Sequence, residues 1–109
     1  MKIIPTVHEL RRTGFKVTVN HNRVFYKFDP QTGKKSTVTC TWAEQQEQYL
    51  DYYVLATGGY TRVCILDEEG NSFCGISSCS EFDHYNKKVG TKKAVARAFS
   101  QRVLESRSI

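Results

Sequence analysis

The chain has 109 residues, 39% apolar and 25% charged, with two prolines and a formal net charge of +5. That suits one globular domain, 1–109, with a single hydrophobic core, and argues against disorder. No run of about 18 apolar residues exists to span a bilayer, and MKIIPTVHELRR lacks the apolar stretch of a secretory signal, so a cytoplasmic setting is expected, with Cys40, Cys64, Cys74 and Cys79 as reduced thiols.

Thr6-Val-His-Glu9 has the form of a helix-capping sequence and Gly14 of a stop, which predicts a short helix over 6–13. The period then changes to two. FKVTV (15–19) sets Phe15, Val17 and Val19 on one face. NHN (20–22) reads as a tight turn, and RVFYKF (23–28) alternates again. DPQTGKK is a polar loop, and STVTCTW (36–42) is a third strand with Val38 and Cys40 on one side and threonines on the other.

Thr41-Trp-Ala-Glu44 opens a second capped helix, with Tyr49, Tyr53 and Ala56 at helical spacing. It is expected to run over 42–57 and end at Gly58-Gly59. YTRVCIL and NSFCGIS flank Asp67-Glu-Glu-Gly70, a strong hairpin signal. Ser80-Glu-Phe-Asp83 opens a third helix ending near Gly90, and Thr91 caps a fourth reaching about Ser106. The expected class is α+β, with order α-β-β-β-α-β-β-α-α: a three-strand antiparallel meander plus a hairpin, packed by helices.

Cys74, Cys79 and His84, with Cys64 across the hairpin, are the residue types that bind zinc. Their spacing lacks the tight pairs of zinc sites, and Cys64 and Cys74 fit equally as small buried residues. Cys79 and His84 do not form a reliable nucleophile–base pair across a helix cap. The carboxylates Glu44, Glu47 and Asp51 line one helix face, and Asp67 to Glu69 form a turn. No phosphate-cradling glycine loop is present. A binding protein without enzymatic activity, metal or cofactor is therefore expected.

Charge falls in blocks. Residues 1–41 carry eight basic and two acidic side chains, 42–72 one and six, and 87–107 seven and one. On the last helix Val95, Ala98, Phe99 and Val103 form an apolar stripe, with Lys93, Arg97 and Gln101 on the opposite side. Lys87, Lys88 and Lys92 cluster at the corner before it. A second basic surface follows if Val24 and Tyr26 face the core, since Lys16, Arg23, Phe25 and Lys27 then share the reverse face of the sheet. Basic residues around an aromatic suit nucleic acid. The competing surface, for a protein partner, is the acidic set Glu44, Glu47, Asp51, Tyr52, Asp67, Glu68 and Glu69.

The order α-β-β-β-α over 6–56 is also that of double-stranded-RNA-binding domains. The lysine pair at the start of that family's second helix is replaced here by Thr41-Trp-Ala-Glu, which disfavours the match. LRRTGFKVTVNHNR (10–23) and GGYTRVCILDEEGNSFCGISSCSEFDHYNKKVGTKKAVARAF (58–99) resemble small proteins encoded by bacteriophages and prophages. The pattern is Leu-Arg-x-x-Gly-x-Lys-Val-x-Val-x-His-x-Arg, then a threonine-bearing hairpin, Cys-x-x-x-Asp-x-Tyr-Asn-Lys-Lys-x-Gly and Ala-x-x-Arg-Ala. It is carried here by Leu10, Gly14, His21, Arg23, Cys79, Asp83, Tyr85, Asn86, Gly90 and Arg97, among others. The resemblance implies phage origin and action by binding in the host cell. The expected partner is nucleic acid or a nucleic-acid-handling host complex. The alternative is inhibition of a host enzyme or of a restriction or CRISPR-type defence.

Overall fold

A computed structural model describes the backbone of residues 5–107 and the side chains of residues 5–101. The elements are α1 (Val7–Arg12), β1 (Lys16–Phe28), β2 (Lys35–Cys40), α2 (Trp42–Gln48), β3 (Tyr53–Val54), β4 (Tyr60–Leu66), β5 (Ser72–Ser78) and α3 (Lys87–Arg107). All the strand pairings are antiparallel; the sheet runs β2-β1-β4-β5, and β3 also pairs with β1. The α+β class is as expected, while the element order differs at three places.

The first difference is at 20–22. No turn forms there, and β1 continues through His21 and Asn22, which pair with Thr61 and Tyr60 of β4. Its first half pairs with β4, and its second half with β2 and β3. A strand of 13 residues spans roughly 40 Å at about 3.3 Å per residue. The molecule is accordingly elongated, 57 × 28 × 26 Å.

The second difference is the middle helix, which stops at Gln48 rather than 57. Thr41 and Glu44 form the expected reciprocal cap. The buried Gln45 amide then donates to the carbonyls of Tyr49 (3.1 Å) and Tyr52 (3.1 Å), which folds the chain out of the helix. Tyr53 and Val54 return as β3, with Tyr53 opposite Tyr26. Aromatic and β-branched residues favour that pleated position over a helix.

The third difference is at Gly90, which lies inside one continuous α3. The Asn86 side chain accepts from Val89 N–H (3.1 Å) at the start of this helix, while Ser80 belongs to a turn. Gly90 serves a contact instead of a stop. A Cβ there would meet the Thr61 hydroxyl oxygen at 2.6 Å.

Side-chain parity along the uninterrupted β1 fixes what each face carries. Val17 and Phe25 are buried and Val19 is half-buried, on the same face as Thr61, Val63 and Ile65 of β4 and Phe73, Gly75 and Ser77 of β5. All three helices pack on this face. Leu10 of α1 joins Val17, Val63, Ile65 and Phe73 in the core with Ala94, Val95 and Ala98 of α3, and Trp42 of α2 packs edge-on against Phe25. Val103, expected on the same helical stripe, lies outside the described side chains.

The tightest joint is between α3 and β5. A Cβ on Gly75 would lie 2.1 Å from Ala94 O and 2.5 Å from Ala98 N, so helix backbone rests directly on strand backbone. Beside it, Arg97 donates to Ile76 O (2.6 Å) and Gln101 accepts from Cys74 N–H (3.1 Å), which satisfies groups on the outer edge of β5. Cys64 and Cys74, directly opposed on β4 and β5, are joined in a disulfide rather than kept as the expected thiols. Cys40 and Cys79 are free.

Gly75→Ala is expected to destabilise the fold by about 1–3 kcal/mol or more, because neither backbone can yield cheaply. Urea denaturation checks it. A wild-type midpoint in Gly75→Ala would contradict the direct backbone contact.

Candidate nucleic-acid interface

The basic residues singled out in the sequence separate into groups. Lys87, Lys88 and Lys92 of α3 face the start of α1 across a groove of ≈ 580 Å³, which His8 also lines. Val7 and Val95 supply apolar walls, and no carboxylate lines it among the described residues. None of the three lysines is ion-paired among the described residues.

Lys93 points elsewhere, into a cavity of ≈ 140 Å³ beside Cys79, Asp83 and His84, where charge is mixed. Arg97 donates to the β5 edge through one guanidinium nitrogen and does not line the groove. Lys27 is ion-paired with Asp51, which raises the lysine pKa and lowers that of the carboxyl through their mutual hydrogen bond.

Phe25, expected on an exposed platform, is completely buried. Arg23 is half-buried; it donates to Leu55 O (3.1 Å) and lies 4.7 Å from the centre of the Tyr85 ring. The cause is the missing turn. Without it, Phe25 and Arg23 keep the inward parity of Val17, and Val24 and Tyr26 face outward. Lys16 alone of that set stays exposed on the outer face.

The acidic set also disperses. Glu44 belongs to the α2 cap, Asp51 holds Lys27, and half-buried Tyr52 packs edge-on against Tyr49. Asp67 accepts from Glu69 N–H and Asn71 N–H within its own turn, and Glu68 and Glu69 flank a shallow recess beside Thr13 and Phe15.

One cluster escaped the sequence reading. Tyr85 O–H lies 2.8 Å from His21 Nδ1 and 2.6 Å from Thr61 Oγ1, with 3.2 Å between the last two. The His21 tautomer sets which of the three groups donates, and Tyr85 O–H is also within reach of Tyr60 O (3.4 Å). Burial lowers the His21 pKa, and the nearby Lys87 and Arg23 cations lower it further. Burial likewise raises the pKa of Tyr85.

Thr61 has no exposed surface, and the cluster sits as a strut under the first turns of α3, where Gly90 meets the Thr61 hydroxyl. It fixes the helix that presents Lys87, Lys88 and Lys92. The available signal was that His21, Arg23, Tyr85 and Gly90 all belong to the quoted phage-type pattern; they converge here from separate parts of the chain.

Cys64 and Cys74 are joined to each other, and no group of three or more His, Cys, Asp or Glu capable of holding a metal exists among the described residues. The Cys79 Sγ instead lies within hydrogen-bond distance of Asp83 O (3.3 Å) and His84 O (3.6 Å). No described helix is long and apolar enough to cross a membrane. No family model matches the chain, and no curated protein or solved structure matches it either.

The strut makes stability depend on pH. The folded pKa of His21 is below its ordinary 6.5, so the unfolded chain takes up the proton first. His21 therefore contributes stability that is intact above pH 6.5, falls as pH drops from there toward the lowered value, and then levels off. Urea midpoints between about pH 7.5 and 5 should show this decline in the wild type and a smaller one in His21→Gln.

Proposed function

We propose that this chain is a small phage-type accessory protein that binds nucleic acid, alone or within a nucleic-acid-handling complex, through the groove between α1 and α3. The observation that carries the reading is the convergence of Lys87, Lys88 and Lys92, with His8 opposite, on one cavity that no carboxylate lines among the described residues. A polyanion entering it meets three exposed cations on one side of the groove and displaces counterions from them. The charge of the chain as a whole, +5, draws the same class of partner.

The contacts are to phosphate, so binding is expected to be weakly dependent on sequence and steeply dependent on salt. In anisotropy titrations of labelled DNA and RNA, log K should fall linearly with log[salt]. Replacing Lys87, Lys88 and Lys92 together by alanine should flatten the slope by roughly 2–3 units, at about 0.7–0.9 per contact. Absence of measurable binding to any single or double strand at about 50 mM salt contradicts the proposal.

A further inference from the structure

The outer face of the sheet carries no helix among the described residues, and its composition is one-sided. The five strands contain Lys16, Arg23, Lys27, Lys35 and Arg62 but no carboxylate; all eleven Asp and Glu residues lie outside them. Arg23 and Lys27 belong to the inner face and are engaged with Tyr85 and Asp51. Lys16, Arg62 and Lys35 belong to the outer face, where none is ion-paired among the described residues.

That face also holds rings. Tyr26 and Tyr53, opposed on β1 and β3, have centroids 6.1 Å apart, and Lys35 Nζ sits 5.1 Å from the Tyr26 ring centre. Phe28, paired with Lys35, is 58% exposed, and Tyr53 is 69% exposed. Thr37, opposite Tyr26, is small and exposed; Tyr26 is half-buried with Lys35 over its ring, while Phe28 and Tyr53 are the open rings.

The geometry points to a stacking platform for single-stranded nucleic acid on Tyr26, Phe28 and Tyr53, with Lys35, Arg62 and Lys16 beside the backbone path. The inference rests on the nucleic-acid reading above and adds the strand state of the ligand. Exposed rings on a flat face accept unstacked bases, whereas a duplex keeps its base faces inside the stack. Cations without any carboxylate among them favour a polyanion over a protein surface, which carries both signs.

The test uses the full chain and labelled DNA and RNA strands of about 12 nucleotides, each single and as a duplex, at about 50 mM salt. The single strand should bind more tightly than its duplex. Phe28→Ala with Tyr53→Ala should weaken single-strand binding at least fivefold and leave duplex affinity unchanged. Tyr53→Phe should retain wild-type affinity, since stacking needs the ring and not the hydroxyl. Tyr53→Leu, which keeps bulk for folding, should lose affinity, and thermal melting confirms that each variant is folded.

Equal single-strand and duplex affinities that the ring variants leave untouched would overturn the platform, and the groove would stand. Unchanged nucleic-acid binding with loss of a protein partner in the ring variants would overturn it in favour of a protein interface. No binding to any strand would overturn both readings.

Discussion

The contact on which the structure depends is backbone against backbone, where α3 crosses β5 at Gly75. Ala94 and Ala98 are the smallest side chains that a helix can offer there, and Gly75 offers none. This closeness lets Val95 reach the same core as Val63, Ile65 and Phe73. It also lets Arg97 and Gln101 grip the outer edge of β5. One helix thus covers the inner face of the hairpin and blocks the edge that would otherwise pair with another chain.

Because α3 is held on that face from Ala94 to Gln101, its first turns sit over β4, and the chain accommodates them with glycine and a hydrogen-bonded cluster. Gly90 admits the Thr61 hydroxyl, and Thr61, Tyr85 and His21 bind one another beneath it. Burial, and then the nearby Lys87 and Arg23 cations, disfavour the charged form of His21. Packing, capping and electrostatics together leave Lys87, Lys88 and Lys92 projecting beside α1. The opposite face of the same sheet, by contrast, carries rings and cations that are not ion-paired among the described residues.

Much of this was legible in the sequence. The capping signals at Thr6 and Thr41, the 60–78 hairpin and the inward set Val95, Ala98 and Phe99 follow from local pattern, and the structure has them. The errors came from reading polar residues as punctuation. Asn20, His21 and Asn22 look like a turn, yet His21 is spent on Tyr85 and Thr61, far away in the chain, so the strand runs on. A turn misplaced there reverses the parity of everything after it, which put Phe25 outside and Tyr26 inside. Gly90 looked like a stop because the residue it accommodates, Thr61, lies on another element. Tyr53 kept helical spacing with Tyr49 but was claimed by Tyr26 across the sheet. The clustering of Lys87, Lys88 and Lys92 is local and so visible in the sequence. Their groove is not, because half of it comes from α1.

The central claim is that a chain with one long strand shows nucleic acid two separate surfaces, a basic groove and an aromatic sheet face. Backbone amide NMR during titration with a short single strand tests it most directly. The account predicts shifts at residues 26–28, 35–37 and 53–54 together with 87–92, and none at the 67–71 turn or along α2. Shifts confined to α2 and the 67–71 turn, or no shifts at all, would contradict it.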